Sequence, residues 1–227
     1  MNPSPQDTVI KMIADLSCPW CYIGRERLEI AIAQRNEDSG AKFVIEHVPF
    51  RLNPHFAPEG MSRRDYRVRK FGSWEESQHR DAAVEIAAHA DGLPINFSKI
   101  DRTPATLAGH CLIGFVAREA GADEAAHLTR ALYAAYFEDG QDIGDLTFLG
   151  TLAESHGLSR DAALACITSR NCLETIISTE QHWAAQGIAG VPAFVLPSGA
   201  LISGAASVAE LAKQLGYSGV NNGDFLS

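Results

Sequence analysis

With 227 residues, 46% of them hydrophobic and 21% charged, the chain has the make-up of a globular protein that can bury a core without disulfide staples. A formal net charge of -9 with no long basic run argues against a nucleic-acid partner, and no stretch reaches the ~20 apolar residues of a membrane span. The N-terminal residues Met1–Asp7 lack the charged start and apolar core of a secretory signal. The expected compartment is therefore the reducing cytoplasm, where a close cysteine pair is catalytic or metal-binding rather than structural.

In chain order, Thr8–Asp15 is β-branched and apolar and predicts a buried strand. A helix is expected from about Pro19 to Asn36, with Leu28, Ala31 and Ile32 on its inward face and Pro19 in the first turn, where a missing N–H costs nothing. Lys42–Phe50 reads as a second strand, completing a strand–helix–strand unit of the kind that makes a parallel pair. From Arg63 to Gly187 the patterns are helical. Thr103-Pro104 reads as a helix start, Asp123 and Asp145 as caps, and Gly187 as the stop of a helix carrying Leu173, Ile176, Ile177 and Trp183. Strands return at Ala193–Leu196 and Ala200–Ser203 around a Pro197-Ser198-Gly199 turn. Ser207-Val208-Ala209-Glu210 forms a capping box for a last helix, and the chain from Asn221 reads as a loose tail. The order is βαβ, then helices, then ββα: one α/β sheet unit interrupted by an all-helical block. The expected boundaries are 1–62 and 188–227 for the two parts of the sheet unit and 63–187 for the insertion.

The chemistry is concentrated in Asp15-Leu16-Ser17-Cys18-Pro19-Trp20-Cys21. Two cysteines at this spacing, where a strand runs into a helix, read as a redox pair. The helix N-terminus carries orphan N–H groups and a partial positive charge that favour a thiolate. Asp15 reads either as a proton relay to Cys21 or as a polar strand end. Far downstream, Gly190-Val191-Pro192 precedes a strand. Proline donates nothing to a sheet ladder. Pro192 is thus either a trans strand-starter or a cis proline facing the cysteines, with the Val191 backbone left free for an extended substrate.

Of the five cysteines, Cys111 reads as a small core residue. Cys166 and Cys172 are candidates for a second redox pair, although six residues on one helix turn them ~120° apart. The odd count fits no disulfide framework, and ligand spacing for zinc is lacking, so no metal is expected. Met61–Lys70 is the one basic cluster. It reads as a solvated face or as a site for an anionic ligand such as glutathione.

Nearly the whole chain resembles the DsbA-family thioredoxin-fold proteins of the FrnE-like branch, which is related to the 2-hydroxychromene-2-carboxylate isomerases. The resemblance is carried by Cys18-Pro19-Trp20-Cys21-Tyr22-Ile23-Gly24, Pro49-Phe50-Arg51-Leu52-Asn53-Pro54, Gly60-Met61 with Lys70-Phe71-Gly72, Arg102-Thr103-Pro104, Ala135-Tyr136-Phe137 with Asp142-Ile143-Gly144-Asp145, and Gly190-Val191-Pro192. It implies a thioredoxin-like fold with an inserted helical domain, a cis proline at Pro192, and dithiol–disulfide exchange through Cys18 and Cys21. Cys18 is then the exposed nucleophile and Cys21 the buried resolving thiol. Pro19 and Trp20 tune the pair and, with Val191 and Pro192, meet the substrate. The implied partners are disulfide-bearing proteins or small molecules. No bound cofactor is implied, with glutathione open as a redox partner. Isomerases of the hydroxychromene kind usually carry serine in place of Cys18 and use glutathione as the thiol. That leaves a glutathione-dependent isomerase or transferase of an aromatic molecule as the alternative, and a non-catalytic binding or chaperone-like module as a third.

Overall fold

The computed structural model describes residues 8–39 and 42–216; Met1–Asp7 and the tail from Asn221 lie outside them. Strand β1 (Thr8–Ala14) leads into helix α1 (Pro19–Ser39) and strand β2 (Phe43–Pro49). After the helical block come β5 (Ala193–Val195), β6 (Leu201–Ser203) and α9 (Val208–Gly216). The four strands form one sheet in the order β2-β1-β5-β6. β1 pairs parallel to β2 from Thr8↔Phe43 to Ala14↔Pro49, and antiparallel to β5 at Met12↔Phe194 and Ile13↔Ala193. β1 is therefore a central strand, and its apolar C-terminal half, Met12–Ala14, is buried on both faces. Ile10, Met12 and Ala14 enter the main core. Ile13 points the other way, with Val48, Ile188 and Ala193.

Between β2 and β5 lie α2 (Arg63–Phe71), α3 (Trp74–Ala90), α4 (Leu107–Glu119), α5 (Ala122–Phe137), α6 (Leu146–Ser155), α7 (Arg160–Ile167) and α8 (Arg170–Ala185). Local chemistry sets several of their ends. Ser73, Asp145, Ser159 and Ser169 cap through side-chain oxygens, and Gly187 takes φ +86° just past α8. One apolar cluster runs from Leu16, Cys21 and Leu28 to Leu112, Leu128 and Tyr133, so the inserted helices and the sheet share a core.

Two expected caps are not used. Thr103 lies in a strand, β4 (Arg102–Thr103), paired antiparallel with β3 (Met61–Ser62), and α4 starts only at Leu107. Gly60 packs against this ladder so closely that a Cβ there would stand 2.4 Å from the Thr103 carbonyl oxygen. Asp123 lies in the first turn of α5, whose N-cap is Gly121. α1 also runs to Ser39, beyond the expected Asn36.

Candidate active site

β1 delivers Asp15 to the carboxyl end of the sheet, and the chain turns there into α1. The turn is closed by Asp15 itself. Its carbonyl oxygen accepts from the Cys18 N–H at 3.1 Å, and its carboxylate accepts from the Ser17 N–H at 3.1 Å and the Ser17 hydroxyl at 3.2 Å. Pro19 is the first residue of α1, and the Cys18 carbonyl oxygen accepts from the N–H groups of Cys21 and Tyr22 at 3.0 and 3.3 Å. Cys18 is thus the N-cap and Cys21 the third helical residue. Both sulfurs sit on the end of the helix where the backbone dipoles leave positive charge.

The expectation of an exposed Cys18 is corrected. The residue is 6% exposed, against 0% for Cys21. The Val191–Pro192 bond is cis, and the Val191 carbonyl oxygen lies 3.9 Å from Cys18 Sγ. That segment covers the sulfur. Gly24 allows the approach, since a Cβ there would stand 3.2 Å from Pro192 Cγ and 3.1 Å from Phe194 Cζ. Trp20 stays outside, 37% exposed. Burial pushes the Cys21 thiol well above its ordinary value, and the adjacent Cys18 sulfur and the Asp15 charge push the same way. The two thiols share one helical turn, Cys18 at its N-cap against the Val191 carbonyl and Cys21 fully buried.

Asp15 is not a solvated strand end. It is fully buried, and its carboxylate also accepts from the Leu52 N–H at 2.6 Å. Burial works to protonate it. The His110 ring and the Leu52 and Ser17 N–H groups outweigh that, and hold the carboxyl below its ordinary range. His110 comes from α4, and its Nε2 lies 3.7 Å from Asp15 Oδ1; its Nδ1 is 2.9 Å from Nε2 of His47 on β2. His110 Nε2 and His47 Nδ1 are buried without a hydrogen-bond partner. Burial, then the His110 and Arg25 charges, hold His47 neutral far below its usual range. The Tyr133 hydroxyl donates to the Asp15 carbonyl oxygen at 3.3 Å from the helical side. Sequence reading missed both histidines. They come from segments 63 residues apart, and no local spacing marks them.

The other sequence candidates fall elsewhere. Arg63 and Arg67 of the basic cluster turn inward and share Asp81, with Arg63 Nη2 2.7 Å from it, so the solvated-face reading fails for these two. Arg64 and Lys70 lie over the rings of Trp74 and Tyr66. Cys166 and Cys172 are not bonded to each other. Cys111 lies in the core as expected, but it is bonded to Cys172, which the sequence reading did not foresee, and Cys166 remains a free thiol.

Two hollows lie outside the cysteine pair, and neither Cys18 nor Cys21 lines them. One of about 350 Å³ runs along Gly190, Val191 and Pro192. A mostly apolar one of about 640 Å³ is lined by Asn53, Phe56, Thr106, Leu107, Ile167 and Leu173.

A buried cysteine pair on the first turn of a helix, beside a cis proline in a four-stranded mixed sheet, is the arrangement of a thioredoxin-fold protein. The chain matches the family model of the DSBA-like thioredoxin domain over residues 9–216 and belongs to that family. It is 27% identical over 189 residues to the uncharacterized protein YwbO of Bacillus subtilis (strain 168), covering 82% of this chain and 86% of that one. Among solved structures it is similar to a probable DsbA oxidoreductase, SCO1869 from Streptomyces coelicolor, at 26% identity and a TM-score of 0.80 over 92% of this chain and 88% of that chain. It shares its fold with a 2-hydroxychromene-2-carboxylate isomerase, at 16% identity and a TM-score of 0.70 over 92% and 94% of the two chains.

Proposed function

We propose that the protein is a thiol–disulfide oxidoreductase or disulfide isomerase working through Cys18 and Cys21. The observation that carries this reading is the contrast between two sulfurs on one helical turn. Cys18 sits at the N-cap beside the Val191 carbonyl, and Cys21 lies deeper with its proton held firmly by burial. The Cys18 thiolate attacks one sulfur of a substrate disulfide. The substrate S–S bond breaks, and its other sulfur leaves as a thiolate that takes a proton. Cys21 then gives up its proton and attacks Cys18 Sγ, and the second substrate thiolate leaves. Two electrons pass to the substrate and a Cys18–Cys21 disulfide remains. The reverse sequence oxidises a dithiol.

The Val191–Pro192 segment and the adjoining hollow suit an extended peptide laid beside it as an added strand, with Trp20 offering an aromatic face. Disulfide-bearing proteins or small molecules are the substrates in this reading, glutathione a redox partner, and the cytoplasm the compartment. Cys21→Ser is expected to accumulate mixed disulfides on Cys18, and Cys18→Ser to lose exchange with a model disulfide. Full activity in a folded Cys18→Ser protein would end the proposal. Titrating the pair against glutathione then places its potential relative to a cytosolic poise of about −220 to −320 mV.

The apolar 640 Å³ cavity favours one second reading, a glutathione-dependent isomerase of an aromatic molecule. Activity that needs glutathione and survives Cys21→Ser would select it.

A further inference from the structure

Three cysteines in the helical block take no part in exchange at Cys18 and Cys21. Cys111 on α4 and Cys172 on α8 form a disulfide across 61 residues, with Cα atoms 5.9 Å apart. Cys166, in the last turn of α7, is a free thiol. All three line one cavity of about 80 Å³, together with His110 and Arg118.

Their surroundings divide the roles. Cys111 is 1% exposed, whereas Cys166 and Cys172 are half-buried and reach the surface. Cys172 is the third residue of α8. Its N–H donates to the capping Ser169 hydroxyl at 3.2 Å, and the first turn of that 16-residue helix holds no acidic residue. A sulfur there faces the positive end of the helix. Arg118 places Nη2 3.2 Å from Cys166 Sγ, and its Nη1 donates to the Gly114 carbonyl oxygen at 3.1 Å. A permanent cation is thus fixed beside the third sulfur.

We propose that Cys111, Cys166 and Cys172 form a second thiol–disulfide exchange centre that takes low-molecular-weight disulfides. Its disulfide migrates between Cys111–Cys172 and Cys111–Cys166. Cys166 loses its proton to solvent and attacks the Cys111 sulfur. The Cys111–Cys166 bond forms, the Cys111–Cys172 bond breaks, and Cys172 leaves as a thiolate at the start of α8. No net oxidation occurs. Cys111 is the shared partner because it is the buried sulfur, and the freed thiol is always one of the two near the surface. That thiolate attacks an external disulfide RSSR. A mixed disulfide with R forms on the protein, and RS⁻ leaves and takes a proton. The centre then holds two oxidised linkages.

The test uses the full chain carrying Cys18→Ser and Cys21→Ser, so its outcome is independent of the first pair. After incubation with glutathione disulfide, non-reducing peptide mapping should find both Cys111–Cys172 and Cys111–Cys166 peptides. One glutathione per chain should be shared between Cys166 and Cys172. Adding Arg118→Gln should slow the approach to that distribution about tenfold, with an unchanged thermal melt. Adding Cys172→Ser, in a protein folded by circular dichroism, should close Cys111–Cys166 on oxidation. Glutathione confined to Cys166 with Cys111–Cys172 as the sole linkage would overturn the proposal. So would a folded Cys172→Ser protein that keeps Cys111 unpaired. If Cys172→Ser does not fold, the glutathione distribution in the parent decides alone.

Discussion

Replacing Asp15 with asparagine tests the buried side of the active site. The carboxylate takes two backbone N–H groups, from Leu52 at 2.6 Å and Ser17 at 3.1 Å, along with the Ser17 hydroxyl. A hydrogen bond to a charged group contributes about 1.5–3 kcal/mol and a neutral one about 0.5–1.5 kcal/mol. An asparagine oxygen can keep one of the two backbone bonds, now uncharged, while its NH₂ faces the other donor. The expected loss at pH 7 is therefore about 2–4 kcal/mol. The folded carboxyl titrates below its unfolded value of 3.8. Its charge-dependent share of stability is thus present above pH 3.8 and lost as pH falls through the folded value. Urea unfolding of the reduced wild type and variant at pH 7 and across the acid range should show a gap that narrows in acid. The variant should also lower the pKa of Cys21, because the Asp15 charge no longer opposes the Cys21 thiolate. Alkylation of Cys21 against pH, in a Cys18→Ser background, reads this. A gap below about 0.5 kcal/mol at pH 7, or one that does not narrow in acid, would show that Asp15 is not held ionised by its N–H partners.

Three further expectations follow from neighbouring contacts. His47 titrates at 6.5 when unfolded and well below that when folded, so the unfolded chain binds the extra proton between the two values. Stability should then fall as pH drops below 6.5, by at most about 1.4 kcal/mol per unit, and His47→Gln should flatten this limb in urea titrations; an unchanged limb would assign it to another group. Trp20→His adds a donor near the Cys18 sulfur and should make the pair more oxidising by on the order of 30 mV, about 1.4 kcal/mol, in a glutathione titration; an unchanged or lower potential contradicts this. Gly24→Val drives a branched side chain into Pro192 and Phe194 and should cost about 1–3 kcal/mol of stability while slowing exchange. A neutral melt with normal exchange would show that the Pro192 segment can shift freely.

What the sequence made legible was local. Cys18-Pro19-Trp20-Cys21 is read from its strand-to-helix junction, because the N-cap and the first turn are built by adjacent residues. The βαβ and ββα ends are read from β-branched and apolar runs and from turn chemistry. The place of Pro192 against Cys18 rested on resemblance, since nothing local says which loop a sheet brings opposite its first strand. The His47–His110 contact and the Cys111–Cys172 bond were not legible, because they join segments 63 and 61 residues apart through the packing of α4. The rotation argument against a Cys166–Cys172 bond assumed one helix, whereas Cys166 lies on α7 and Cys172 on α8, and it could not name the partner that α4 supplies.

That helix also joins the two centres. Consecutive residues on an α-helix point about 100° apart. His110 and Cys111 use this step to face different neighbours, one the buried Asp15 carboxylate and the other α8. The insertion is therefore more than a lid laid over a sheet. It places His110 beside the turn that carries Cys18, and it ties the same stretch of α4 to a helix bearing a second sulfur chemistry. A change of linkage at Cys111 is made one residue from the ring that faces Asp15. Close-packed protein interiors transmit strain. Buried and held through Nδ1 to His47 Nε2 at 2.9 Å, the His110 ring keeps its Nε2 3.7 Å from Asp15 Oδ1, so the packing of α4 positions a group that helps hold that carboxyl below its ordinary range.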